Sequence, residues 1–345
     1  WEGRDARGIE PLQAELDRID AISTHDELAV YFADALKRGL DAPFGVGQFP
    51  DPQNPQRYAI GAGQSGLGLP DREYYLNEDE KSADIRAKYL AHIGTMYDLA
   101  GLDGAADAAA TIMALETRLA TEQMTKEQSR RIIQNYTPVP LDELGGLMPQ
   151  FNWDGYLAEL EISEVPFIGV LTVDYLKALD DIVASTDLDT WKTYLYWVAL
   201  NTAAPNLSAE FDDQNFEFYG RTLQGTQEQR APWRRAVDAV NGALGEVVGK
   251  VYVKNHFPPE AKERMLTLVG NLVRAYEKSI KELDWMGEET KAEALDKLSK
   301  FTPKIGYPDE WRDYSAVQIA ADDLFGNLER ATAAEYQRQL DRQGG

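Results

Sequence analysis

The stretch WRRAVDAVNGALGEVVGKVYVKNHFPPEAKERMLTLVGNLVRAYEKSIKELDWMGEETKAEALDKLSKFTPKIGYP, Trp233 to Pro308, decides how the chain folds. Val237, Val240, Leu244, Val247, Val248 and Val251 recur at spacings of three and four, which places them on one face of a helix. Pro258 and Pro259 end that pattern, and Pro259 restarts the next at a first-turn position whose N–H needs no helical partner. Met265, Leu268, Val269, Leu272, Tyr276 and Ile280 form the second stripe. A third, shorter pattern runs from Glu288 to about Phe301, and Pro303, Gly306 and Pro308 stop it. Three amphipathic helices of this kind predict a large helical core.

Outward from this stretch the helical pattern continues. Leu12, Leu16 and Ile19 are spaced as a helix, and Thr24 with Glu27 forms a capping-box pair ahead of Leu28, Tyr31, Phe32 and Leu36. Residues 43–70 change character: Phe44–Gln48 and Tyr58–Ile60 are expected as short strands of a small hairpin. Long helices are expected over 78–100 and 103–122, an extended Asn135–Leu141 segment by virtue of its prolines, and a helical turn over Leu141–Met148. Beyond these come a short strand within Val165–Leu171, paired helices over Asp174–Ala184 and Thr190–Ala203, an amphipathic helix over Phe211–Leu223, and a last helix from Asp322 to Gln339. The fold class is mainly α, a multi-helix body with minor short β hairpins.

With 345 residues, 43% of them hydrophobic, the chain can fill a sizeable core. Its net charge of -23 argues against a nucleic-acid partner, whose affinity depends on basic residues displacing counterions. The absence of cysteine excludes disulfides, thiol nucleophiles and thiolate metal sites. No apolar run approaches the roughly 20 residues of a membrane span.

Chemistry-bearing motifs are sparse. Gly61-Ala62-Gly63-Gln64-Ser65-Gly66 matches G-x-G-x-x-G, but Gly68 and Pro70 follow where a dinucleotide site needs a helix to open, which favours a turn-rich structural loop. The histidines are His25, His92 and His256, and none has a second histidine four residues away, so H-E-x-x-H does not occur. There is no G-x-S-x-G elbow. Tyr175, Trp191, Tyr194, Tyr196 and Trp197 could line a peptide cavity, although helically spaced aromatics more commonly pack a core. Arg230, Arg234 and Arg235 form the one tight basic cluster and are the candidate substrate-binding residues, able to hold a peptide carboxylate bidentately. Pairing with acids such as Asp238 or Glu246 is the commoner use of such residues. No catalytic and no metal-ligating residue is assigned.

The order Trp233-Arg234-Arg235, Val240-Asn241-Gly242, Val248-Gly249-Lys250, Asp284-Trp285-Met286 and Ile305-Gly306-Tyr307-Pro308-Asp309 resembles the neprilysin and endothelin-converting-enzyme family of zinc metallopeptidases. Gly66-Leu67-Gly68-Leu69-Pro70-Asp71 resembles bacterial members, while Tyr136-Thr137-Pro138 departs from the family's Tyr-Asn-Pro. The resemblance covers nearly all of residues 8–343. It implies a helical lid over residues 1–320 that limits oligopeptide access to an active site, with 321–345 leading towards a catalytic domain outside this sequence. It also implies that zinc belongs to the parent enzyme and not to this chain, and that the partner is a catalytic domain or second polypeptide carrying H-E-x-x-H. Oligopeptides cleaved on the amino side of hydrophobic residues would be the substrates, in a periplasmic or extracellular setting more than a cytoplasmic one. The chain alone is expected to be inactive. The competing expectation is a stand-alone or partner-dependent peptide-binding scaffold, a split enzyme half or an inactive paralogue.

Overall fold

The computed structural model describes residues 3–163 and 165–342. Helices α1 (Gln13–Asp20) and α2 (His25–Lys37) lead into strands β1 (Phe44–Asp51) and β2 (Asn54–Gln64). Next come α3 (Glu73–Leu76), α4 (Glu80–Leu99), α5 (Ala105–Glu122), α6 (Lys126–Ser129), α7 (Ile132–Asn135) and β3 (Thr137–Pro140). The chain continues through α8 (Trp153–Glu159), β4 (Phe167–Val170), α9 (Val173–Ser185), α10 (Leu188–Ala203) and α11 (Ala209–Asn215), followed by a π-helical segment, Phe216–Leu223. Last are α12 (Pro232–His256), α13 (Pro259–Glu282), α14 (Glu288–Ser299) and α15 (Leu324–Leu340). The chain divides into two compact units, one of residues 1–231 with 317–345 and one of residues 232–316.

The first unit holds the core. Its helices are stopped and started by their own side chains: Thr24 Oγ1 accepts from Glu27 N at the start of α2, Asp79 from Ser82 N before α4, and Asp187 from Thr190 N before α10. Glu27 does not complete the expected capping box, because its carboxylate accepts from Ser23 N and Oγ at 2.8 and 2.7 Å instead. The apolar faces so aligned meet around α5, which packs against α4, α9 and α10. Trp191, Tyr194 and Trp197 of α10 and Tyr175 of α9 are fully buried there, so four of the five aromatics are core packing, with Trp191 edge-on to Phe32 at 5.4 Å, while Tyr196 is half-buried and donates to Asp20. A charged tie joins α1 to α2: buried Glu15 accepts from Tyr31 at 2.5 Å and from Arg38 at 3.0 Å.

The strands form one four-stranded mixed sheet in the order β1-β2-β4-β3, more than the isolated hairpin expected. β1 and β2 are antiparallel, β2 lies parallel to β4 with Ile60–Ala62 beside Ile168–Val170, and β3 closes the other edge antiparallel to β4. Thr137-Pro138-Val139-Pro140 suits that edge, since proline cannot donate to an inner ladder. Single-sequence patterning locates such strands but not their pairing across more than a hundred residues. Leu141–Gly146 is a 3-10 turn, and Phe211–Leu223 splits between α11 and the π segment.

The second unit corrects the central packing expectation. Its helices form where the stripes predict them, except that α12 is kinked at Leu244 (φ -132°, ψ 38°) within the first stripe, and α13 packs on α14. None of their residues is buried, however: Val240 is 49% exposed, Leu272 51% and Tyr276 63%. Periodicity fixes which face of a helix is apolar, not which body covers it. What order the unit has comes from a polar and aromatic clasp. Tyr307 stacks on Trp311 (5.9 Å, 6°) and stands edge-on to Phe257, while Lys262 Nζ donates to Tyr307 O at 2.8 Å and sits 4.3 Å over its ring. The Phe-Pro-Pro and Ile-Gly-Tyr-Pro-Asp pieces, separated by about 50 residues in sequence, are therefore one contact.

Candidate functional site

The candidate arginines are carried at the start of α12. Pro232 and Trp233 open the helix, and the Arg234 guanidinium lies 5.2 Å from the Trp233 ring centroid. Arg234 is exposed and Arg235 half-buried on that first turn, while Arg230 lies just ahead of it, exposed, at the end of the first unit's main segment. Arg230, Arg235 and Asp238 all have polar or electrostatic partners. Glu246, the other acid considered for pairing, is engaged by Arg312, whose backbone N donates to it at 2.6 Å. Arg234 has its donors over solvent, stacked on an aromatic face that narrows its rotamers.

Each histidine has a local setting of its own. His25, the first residue of α2, bonds through Nε2 to Thr186 O at 2.9 Å and ties α2 to the α9–α10 connection. His92 is buried on α4, stacked on Phe218 (4.9 Å, 10°), edge-on to Trp197, and bonded through Nδ1 to Gln214 at 3.1 Å. Burial pushes it down to about 4, so the ring is neutral at pH 7. His256 ends α12 against Tyr252. A catalytic zinc ion needs about three protein ligands around an open position. Among the described residues no three His, Cys, Asp or Glu side chains are grouped to hold a metal, and His92 is buried with one face stacked on Phe218 and Trp197 and Tyr219 edge-on to it. The described residues do not fit a catalytic zinc.

The most heavily constrained polar site is one that motif reading passed over. After β2 no helix opens, and Gly66 turns left-handed (φ 86°). A Cβ there would lie 2.7 Å from the Tyr194 hydroxyl, and one on Gly68 only 1.8 Å from that of Tyr89. The loop is held from several helices: Tyr194 donates to Gly66 O at 2.7 Å, Tyr219 to Gly68 O at 3.0 Å, and Gln123 to Ser65 O at 2.7 Å. Gly68 N donates to Glu116 of α5 at 3.2 Å, and Leu69 N to Tyr75 at 2.9 Å. Glu116 also accepts from Tyr75 (2.7 Å) and Tyr89 (3.0 Å), and Trp197 Nε1 donates to Tyr89 at 2.8 Å. Burial without a cationic neighbour pushes Glu116 up to about 7, and the phenols of Tyr75, Tyr89 and Tyr194 far above their ordinary range. A small cavity of about 160 Å³ lies beside it, lined in part by Asn201 and Tyr219. Gly61 to Gln64 of the glycine run are strand, paired within β2's ladders, so the expected structural loop is found only from Ser65 onward, where it is clamped. Nothing in the sequence marked Glu116, one acid among 58 Asp and Glu, as its anchor. Tyr136 has a packing role too, edge-on to Phe49 at 5.9 Å.

The described residues form a mainly α body with a small mixed sheet and a tyrosine-clamped loop. The sequence matches peptidase family M13 over residues 1–308, and the chain belongs to that family. It is 30% identical over 272 residues to endothelin-converting enzyme 1 of Mus musculus, covering 77% of this chain and 35% of the relative. It is 29% identical over 317 residues to membrane metallo-endopeptidase-like 1 of Mus musculus, covering 85% and 41%. The cryo-EM structure of the Mycobacterium tuberculosis zinc metalloprotease Zmp1 in an open state superposes with a TM-score of 0.89 at 38% identity, covering all of this chain and 54% of Zmp1. PepO from Lactobacillus rhamnosis, at 20% identity and a TM-score of 0.84, shares the fold. The chain thus spans about half the length of the solved relatives, and less of the curated ones. Among the described residues no helix is long and apolar enough to cross a membrane.

Proposed function

We propose that this chain is the non-catalytic helical lid of a neprilysin-like zinc metalloendopeptidase and that it restricts access of oligopeptides to an active site carried by the rest of the enzyme. One observation carries the reading: the whole chain superposes on only 54% of a zinc metalloprotease, and its own sequence has no H-E-x-x-H. Residues 1–320 are the lid and 321–345 the lead into the catalytic part. A zinc ion held in that part would supply Lewis-acid activation of a water, and the residues of this chain would orient the peptide and exclude larger chains. A lid must be rigid to act as a size filter, and the buried α4–α5–α10 packing with its tyrosine clamp supplies that rigidity. Arg230, Arg234 and Arg235 are the groups suited to a peptide carboxylate, by bidentate charge-assisted bonds.

The test is a size series on the full-length protein. Peptides of about ten residues are cleaved, with kcat/KM falling at least tenfold for an unfolded polypeptide of about a hundred residues bearing the same scissile sequence. Equal cleavage of both substrates contradicts a gating lid.

A further inference from the structure

The segment between α5 and β3 carries side chains that neither the helical core nor the candidate site uses. Residues 126–134, KEQSRRIIQ, hold three basic residues against one acid in a chain of net charge -23. The backbone here is closed on itself. Thr125 and Gln128 form a reciprocal capping box, and Arg131 N donates to Gln128 O at 3.0 Å. Gln134 N and Asn135 N both donate to Arg131 O at 3.0 Å, and the Asn135 amide donates to Gln128 O at 2.8 Å. A segment tied in this way has little freedom left to lose on binding. Its side chains are nevertheless unused: Ile132 is 49% and Ile133 77% exposed. Arg130 and Arg131 are exposed too, with no hydrogen bond, ion pair or ring contact among the described residues. Other arginines of the same unit are engaged, Arg57 by Asp51, Arg86 by Tyr74 O and Asn77 O, and Arg118 by Thr186. Single exposed apolar side chains are ordinary, whereas contiguous ones rimmed by polar groups mark interaction surfaces. Ser129, immediately before the arginine pair, lines a cavity of about 280 Å³ whose walls include Leu67, Leu69 and Met124.

We propose that Arg130, Arg131, Ile132 and Ile133, with this cavity beside them, are a docking site for oligopeptides that combine acidic and bulky apolar side chains. Charge selects the occupant. A guanidinium holds a carboxylate through paired, charge-assisted hydrogen bonds. Two adjacent guanidiniums with free donors match two carboxylates, more than the single carboxyl terminus of a peptide supplies. The acidic body around them repels such a ligand elsewhere, so the local basic patch fixes where it lands. The apolar side chains of the ligand then cover Ile132 and Ile133 and enter the cavity. That the docked peptide is a substrate rests on the proposed lid role; the docking itself does not.

Fluorescence anisotropy on the 345-residue chain tests it, with a peptide of about twelve residues repeating Glu-Leu-Asp-Phe, labelled at its amino end and amidated so that no terminal charge contributes. At low salt it binds with a Kd of about 10–100 µM, and more weakly as salt rises. Arg130→Gln with Arg131→Gln weakens binding at least about tenfold, Ile132→Ser with Ile133→Ser about fivefold, and Lys in place of the peptide's acids about tenfold. All four positions are exposed, so both variants keep the melting temperature within about 2 °C. Equal affinity for the acidic and basic peptides, full binding by either variant, or no binding up to about 1 mM overturns the proposal. Anionic phospholipid vesicles that sediment the wild-type chain but not the arginine variant, with no peptide bound, assign the patch to a lipid surface and overturn it equally. In the full-length protein the arginine variant raises KM for the same peptide about tenfold at unchanged kcat. An active enzyme with unchanged KM overturns the substrate assignment. Peptide docking with the expected variant losses, in an enzyme that cleaves without regard to substrate size, sinks only the lid reading.

Discussion

Replacing Glu116 by Gln changes how stability depends on pH, and the structure fixes the sign. Glu116 is fully buried, accepts from Gly68 N, Tyr75 and Tyr89, and has no cationic partner. Its folded pKa is pushed from 4.5 up to about 7, with burial as the largest cause. A carboxyl whose pKa is raised by folding contributes fully below its unfolded value, and that contribution is lost as pH rises through the folded one. Linkage over this interval removes about 3 kcal/mol in full, of which about 2 kcal/mol falls between pH 5.5 and 8.5. Working above pH 5.5 keeps the protein clear of its isoelectric point near 4.5. Gln cannot titrate, so urea unfolding of both proteins across this range isolates the group. The stability of wild type relative to Glu116→Gln falls by about 2 kcal/mol from pH 5.5 to 8.5. Gln also leaves the Tyr75 proton without its acceptor, a cost of about 1 kcal/mol that is independent of pH and drops out of the slope. A flat difference, or one that grows with pH, refutes the account of the clamp.

The remaining predictions probe packing and the candidate surface. His92, lowered to about 4 by burial, must charge on unfolding in acid, so its contribution is present above pH 6.5 and lost below. Wild type loses about 1 kcal/mol relative to His92→Leu between pH 8 and 5.5, and equal slopes in urea unfolding would contradict the neutral stacked ring. Gly68→Ala places a methyl 1.8 Å from the Tyr89 hydroxyl and destabilises by about 2 kcal/mol; a change under about 0.5 kcal/mol would mean the loop is not clamped. Trp191→Ala, at a site with no exposure, costs about 3–5 kcal/mol, read as a lower denaturation midpoint. In the full-length protein, Arg234→Ala raises KM for peptides with a free carboxylate about tenfold and leaves amidated peptides unaffected, and an equal effect on both removes Arg234 from substrate binding.

Local signals carried most of the secondary structure because they act over one turn. The Thr24 cap, the Pro258-Pro259 break and the left-handed Gly39 and Gly101 each set a boundary from a few neighbouring residues. Partnership over distance was not legible in the same way. β2 beside β4, Glu116 under Gly68, and Phe257 against Tyr307 join positions 48 to about 110 residues apart, and no periodicity encodes such pairs. The α13 stripe shows the limit most clearly. Its spacing dictates an apolar face whether the cover lies in this chain or elsewhere. The arginines were found because basic residues are few in an acidic chain, whereas Glu116 was hidden among acids of identical type. Two of the ordered pieces between Trp233 and Asp309 meet in space, in the Phe257–Tyr307 clasp.

Zinc content and peptidase activity, measured together on the purified 345-residue chain before and after mixing with the separately produced remainder of an M13 polypeptide carrying H-E-x-x-H, test the central claim most directly. The account predicts less than about 0.1 zinc per chain and no cleavage of a fluorogenic oligopeptide by the chain alone, with activity in the mixture above that of the remainder by itself. Stoichiometric zinc with cleavage by the 345-residue chain alone, or no gain on mixing, contradicts it.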